Sequence, residues 1–154
     1  MDHPFNDDLR AVLDSPEAYT FLPSGSWMEG GCALLAESLQ WLIPDSQLMV
    51  VGRIDEGVSD HVLMIREDGE AIYIDYDGLQ FEHELIEKMR QECLSDCIGI
   101  APAKTFLFTD SDLFWLQDDV LGFSGFLESK MGSVDADRVS LTWLDGADCG
   151  PGPA

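Results

Sequence analysis

The first rhythm of apolar positions is helical. Leu9, Val12 and Leu13 recur at helix spacing, and Asn6 or Asp7 is placed to cap the helix before the Ser15-Pro16 break. Thr20 to Gly31 follows as a stretch rich in Gly, Ser and Pro. It also carries Phe21, Leu22, Trp27 and Met28, whose exposure to water is costly, so an ordered loop is expected. From Cys32 to Ile43 apolar residues nearly encircle a helix that Pro44 stops. A helix without a broad polar face belongs in the interior, packed on more than one side.

The rhythm then changes. Leu48 to Arg53, His61 to Arg66 and Ala71 to Tyr76 are rich in Val, Ile and Tyr and separated by Asp, Glu and Gly, which predicts strands of an antiparallel sheet. Phe81 to Cys93 returns to helical spacing, with Phe81, Leu85, Ile86 and Met89 on one side and Glu82, Glu84, Glu87 and Lys88 elsewhere, so it should cover the sheet or its edge. Further on, Thr105 to Phe108 reads as a short strand, and Ser111 can cap a helix over Asp112 to Leu121. That helix would use Leu113, Phe114, Trp115 and Leu116 as its packing face, and another is expected after Ser124. Ser133 to Leu144 fits helix and strand equally. The pattern is that of one α+β domain over residues 1–145, a buried helix opened by cysteine on a small antiparallel sheet with more helices after it, and a frayed tail over 146–154.

Composition changes this picture little, because 154 residues with 45% hydrophobic content make one globular core. Charge changes it more: 8 basic against 30 acidic residues leave −22, with lysine only at 88, 104 and 130. Such a surface argues against direct nucleic-acid binding. It suits either general hydration or a negative face that docks on a basic protein partner or imitates a phosphate backbone. No apolar run is long enough to span a bilayer and the N-terminus carries no secretory pattern, so no membrane association is expected and the expected compartment is cytoplasmic; delivery into a host or target cell is compatible with the same features.

The cysteines at 32, 93, 97 and 149 are too few for a disulfide framework and are expected as thiols. Cys93 and Cys97 can share a helix face, but no second Cys or His pair stands at zinc-ligand spacing. Asp75-Tyr-Asp77-Gly78 resembles part of a calcium loop, yet Tyr73 occupies a position where the loop needs an oxygen ligand such as carboxylate. With no phosphate loop or dinucleotide fingerprint, neither a metal nor a cofactor is expected. His3 and His83 have no evident partners in the sequence.

Cys32 is the residue with the clearest chemistry. A thiol at the first turn of a buried helix lies where the helix dipole and unpaired backbone N–H groups favour the thiolate. Gly30 and Gly31 before it leave room for another group to approach the sulfur. His61 and Asp75 lie on consecutive strand-like runs joined through Glu67-Asp68-Gly69. A two-residue Asp68-Gly69 turn pairs Glu67 with Glu70 and puts Asp75 on the opposite face from His61. A three-residue loop with Gly69 left-handed instead pairs His61 with Asp75, and it is a common hairpin connection. In the latter register thiol, imidazole and carboxylate supply a nucleophile, a base and an orienting group for attack on an acyl carbon.

Gly30-Gly31-Cys32-Ala-Leu-Leu-Ala-Glu-Ser-Leu, Asp60-His61-Val-Leu-Met-Ile and Ala71-Ile-Tyr-Ile-Asp75-Tyr-Asp-Gly78 together resemble the papain-like cysteine peptidase superfamily. The likeness is closest to its compact bacterial and phage members and to the related transglutaminase-like branch. It covers Gly25 to Leu79, about a third of the chain. The resemblance implies Cys32 as nucleophile, His61 as base and Asp75 as orienting group, with Trp27, Gly30 and Gly31 against a peptide or protein substrate. It departs from papain-like peptidases proper in lacking a glutamine between Ser24 and Gly31 to complete the oxyanion hole, a part left to Ser26, the Trp27 backbone or a group elsewhere. The activity implied is that of a thiol hydrolase or acyltransferase on an amide bond. The alternative is a non-catalytic acidic binding or inhibitor protein.

Overall fold

The computed structural model describes residues 1–22, 27, 31–103 and 115–141. The expected strand at Thr105–Phe108, the Ser111 cap and the tail over 146–154 lie outside the described residues, as do Gly30 and Cys149. The fold is mixed α+β. Five antiparallel strands run in the order β4-β3-β2-β1-β5: β1 Gln47–Arg53, β2 Val58–Glu67, β3 Glu70–Asp75, β4 Gly78–Phe81 and β5 Gly99–Pro102. The helices are α1 Pro4–Leu13, α2 Pro16–Tyr19, α3 Cys32–Leu42, α4 Glu82–Cys93 and α5 Gln117–Met131.

The period-2 alternation of the strands builds two cores. On one face Leu63, Ile72, Ile74 and Leu79 pack with Phe5 and Leu9 of α1, Leu34, Leu35 and Leu39 of α3, and Phe123 and Leu127 of α5. On the other face Met49, Val51, Val62, Met64 and Tyr73 meet Leu85 and Met89 of α4. The nearly all-apolar α3 lies between the sheet and α5, as its sequence requires. Small residues bring the two helices together: the Ser124 hydroxyl donates to the Ser38 carbonyl at 3.0 Å and to the Val120 carbonyl at 2.9 Å, satisfying a buried polar group.

Several local expectations are corrected. The cap of α1 is His3, not Asn6 or Asp7. Its Nδ1 accepts the Phe5 N–H at 3.1 Å, which leaves the ring proton on Nε2 to donate to the Ser140 carbonyl at 2.9 Å. His83, also without an evident partner in the sequence, stacks on Phe81 with ring centroids 5.8 Å apart. Ser124 begins no helix, because burial against α3 satisfies its hydroxyl inside the continuous α5. Helix α4 ends at Cys93, where Leu94 is left-handed, so Cys93 and Cys97 do not share a helix face. The segment after α5 forms turns around residues 135–139, neither of the two forms expected.

The hairpin between β2 and β3 takes the two-residue turn. Glu67 pairs with Glu70, and Asp68 and Gly69 both have positive φ, 53° and 81°, the geometry that matches the right-handed twist of the strands. Leu63 therefore lies opposite Ile74, and continuing that register sets His61 across from Tyr76 and Val62 across from Asp75. The three-residue loop, and with it a direct His61–Asp75 cross-strand pair, does not form.

Candidate active site

Cys32 reaches its neighbours through the end of this hairpin. In a two-residue hairpin the residues flanking the turn exchange hydrogen bonds, so alternate residues of β2 aim N–H and C=O toward β3. His61 is in that set, but β3 ends at Asp75, before the residue that would pair with it. The freed His61 N–H donates instead to Cys32 Sγ across 3.4 Å. Strand β2 starts at Val58 rather than at His61, so His61 sits inside the β1–β2 ladder opposite Val50 and its backbone is fixed on that side.

Around the sulfur is a cavity of about 400 Å³ that Cys32, His61, Trp27 and Tyr76 line from the α3 side and Asp75 and Lys88 from the α4 side. Trp27 is buried, its indole N–H donating to the Leu13 carbonyl at 3.0 Å and its ring packed against Tyr76, Tyr19 and Phe123. Gly31 is buried as the residue before α3, but with φ −63° and ψ −32° it is already helical, so its position does not call on glycine's wider dihedral freedom.

Asp75 follows Val62 onto the α4 face and is firmly held there. Its Oδ1 accepts from Gln80 Nε2 at 2.6 Å and from the Asp77 N–H at 2.8 Å, and Oδ2 is paired with Lys88 Nζ. Lys88 also reaches Asp77 at 3.0 Å. Burial works against the Lys88 charge, but Asp75 and Asp77 outweigh it and hold the ammonium above its ordinary value.

The thiol does not behave as its place on the helix suggests. Burial first, then the Asp60 carboxylate, push Cys32 up from 9.0 to about 11. The His61 and Ala33 N–H groups pull the other way without prevailing, and Asp75 adds a smaller push upward. At neutral pH the sulfur is therefore protonated. Burial lowers the His61 imidazole below its usual value, so at neutral pH it is uncharged and able to accept a proton. Attack by this thiol requires the proton to leave as the new bond forms.

Asp60, Lys88 and Glu92 line the cavity without having been singled out in the sequence. Asp60 neighbours His61 in the chain and points to the other face, pairing with Val51, which a search for one-face constellations passes over. Lys88 sits beside Met89 on the buried border of an otherwise polar helix surface. Among the described residues no group of side chains is arranged to hold a metal ion, and no helix is long and apolar enough to cross a membrane. The described cysteines, Cys32, Cys93 and Cys97, are free. No protein-family model, curated protein or solved structure matches the chain.

Proposed function

We propose that the protein is a thiol-dependent hydrolase or acyltransferase acting on an amide bond, built on a papain-like scaffold. The observation that carries this reading is the Cys32 sulfur, at the start of the central helix and the wall of a cavity, receiving the backbone N–H of a histidine that lines the same cavity. A cysteine opening a helix against an antiparallel sheet, with histidine on a central strand, also supports the scaffold resemblance.

In the proposed reaction the His61 imidazole takes the Cys32 proton while the sulfur adds to the acyl carbon. The backbone N–H of Cys32 is the proposed donor to the developing oxyanion. His61 returns the proton to the departing amine, and water or another nucleophile releases the acyl group from the thioester. Asp75 holds Lys88 at the cavity wall rather than orienting the imidazole as a cross-strand partner.

The test is acylation by an activated ester followed by mass spectrometry. One acyl group should appear on Cys32 near neutral pH, be removed by hydroxylamine as a thioester is, and be lost in His61→Ala while the fold persists by circular dichroism. Acylation of Cys93, Cys97 and Cys149 at the same rate as Cys32 excludes the enzyme.

A second reading has its own support. A net charge of −22 and a thiol held protonated beside a carboxylate also suit a non-catalytic protein that docks on a basic partner. Binding of that kind weakens steeply with salt and survives Cys32→Ser.

A further inference from the structure

The charges around the Cys32 cavity do not balance. Asp60, Asp75, Asp77 and Glu92 face a single ammonium, Lys88, and with Arg10 on Asp77 from outside the cavity a formal excess of two negative charges is left. Lys88 is committed to Asp75 and Asp77, and Arg10 also pairs with Asp77. Among the described residues the Asp60 and Glu92 carboxylates have neither a hydrogen bond nor an ion pair. Asp60 is only partly exposed, and Lys88 offsets burial and the Asp75 charge there only in part, so a cationic ligand bound to the carboxylate recovers free energy. Asp60 lines the same cavity as Cys32, and its charge is felt at the sulfur.

The aromatic wall points the same way. Trp27 and Tyr76 line the cavity, and a ring face beside a carboxylate is a favourable surround for an organic cation. Arg10 already lies over the Tyr76 ring at 4.5 Å, the same pairing within the protein itself. A metal ion fits less well, since the described carboxylates do not converge as ligands. Anionic substrates are repelled.

We propose that the cavity takes a substrate bearing an ammonium or guanidinium group, received by Asp60 in the cavity that Cys32 also lines. The inference rests on the thiol-enzyme reading of the same site. It assigns Asp60 as a specificity-determining residue, with Glu92 adding attraction from the rim.

The experiment titrates butylguanidine and its neutral counterpart butylurea into the protein at physiological salt, followed by amide shifts in two-dimensional NMR spectra. Wild type, Cys32→Ala, Asp60→Asn and Glu70→Gln are compared, the last removing an exposed acid at the hairpin turn. Butylguanidine is expected to saturate, shift the amides of residues 60 and 61 and bind at least about tenfold tighter than butylurea, a preference worth about 1.4 kcal/mol. Asp60→Asn should erase that preference, while Glu70→Gln and Cys32→Ala keep it. Equal binding of the two compounds, no saturable shift, or a preference unchanged in Asp60→Asn overturns the proposal. Should Asp60→Asn lose its dispersed spectrum, the wild-type comparison of the two compounds decides. Loss of cation preference with Cys32 acylation intact sinks this inference alone; cation binding without acylation sinks the enzyme reading.

Discussion

A cysteine at a helix N-terminus is usually easy to ionise, and at Cys32 burial and a neighbouring carboxylate reverse that tendency. Two N–H groups stabilise the thiolate, but the sulfur has lost most of its water and feels the Asp60 charge. The difference in thiolate absorbance between wild type and Cys32→Ala should therefore titrate at about 11 rather than 9.0, and Asp60→Asn should lower it. A raised folded-state value means that the associated stability is complete below 9.0 and is lost as pH rises toward about 11. Urea denaturation should accordingly show stability falling across that window in the wild type and falling less in Cys32→Ala. Equal alkaline losses would contradict the burial argument.

At the scale of elements the β2–β3 hairpin sets the site. Its turn decides which residues of β2 face β3, and the early end of β3 leaves one N–H for the thiol. Gly69 has φ +81° with open space around its Cα, so Gly69→Ala should cost only backbone strain, roughly 1 kcal/mol. Gly78 has φ +92°, and a Cβ there would collide with the Asn6 side chain, which accepts the Leu79 N–H at 2.7 Å and ties α1 to β4. Gly78→Ala should cost more, roughly 2–4 kcal/mol, by adding a clash and a disturbed hydrogen bond to the strain. Denaturant midpoints of the two variants test the order, and equal costs would show that Asn6 moves aside freely.

For the whole molecule the governing quantity is the excess of negative charge, which opposes compaction and is screened by salt. Burial raises the carboxyls of Glu37, Asp60 and Glu92, so the folded state binds protons more readily there and gains stability as pH falls from neutrality toward 4.5. His61 works in the opposite sense: its lowered value makes the folded state resist protonation, and stability is lost as pH drops below 6.5. With more groups on the first side, and self-repulsion relieved as well, the melting temperature at low ionic strength should be higher at about pH 6 than at about pH 8. Added salt should raise both temperatures and narrow the gap. A melting temperature that rises from pH 6 to pH 8 at low salt would show that His61 dominates.

Local periodicity was enough to read α3, the first three strands and α4, because a buried helix with no broad polar face and a half-buried strand each need a distinctive residue pattern. The nucleophile was legible for the same reason, since Cys32 stands where a glycine-rich stretch meets an apolar run. What local pattern could not specify was register: Glu67-Asp68-Gly69 is compatible with two turns, and one residue of slip exchanges the faces of a strand. Packing chose between them. Leu63 and Ile65 belong with the α3 core and Val62 and Met64 with the α4 core, and the two-residue turn extends the same alternation of faces across β3. That choice sent Asp75 to Lys88 and left the His61 N–H to the sulfur. Each is a relation between residues far apart in sequence, set by which surfaces the core could bury.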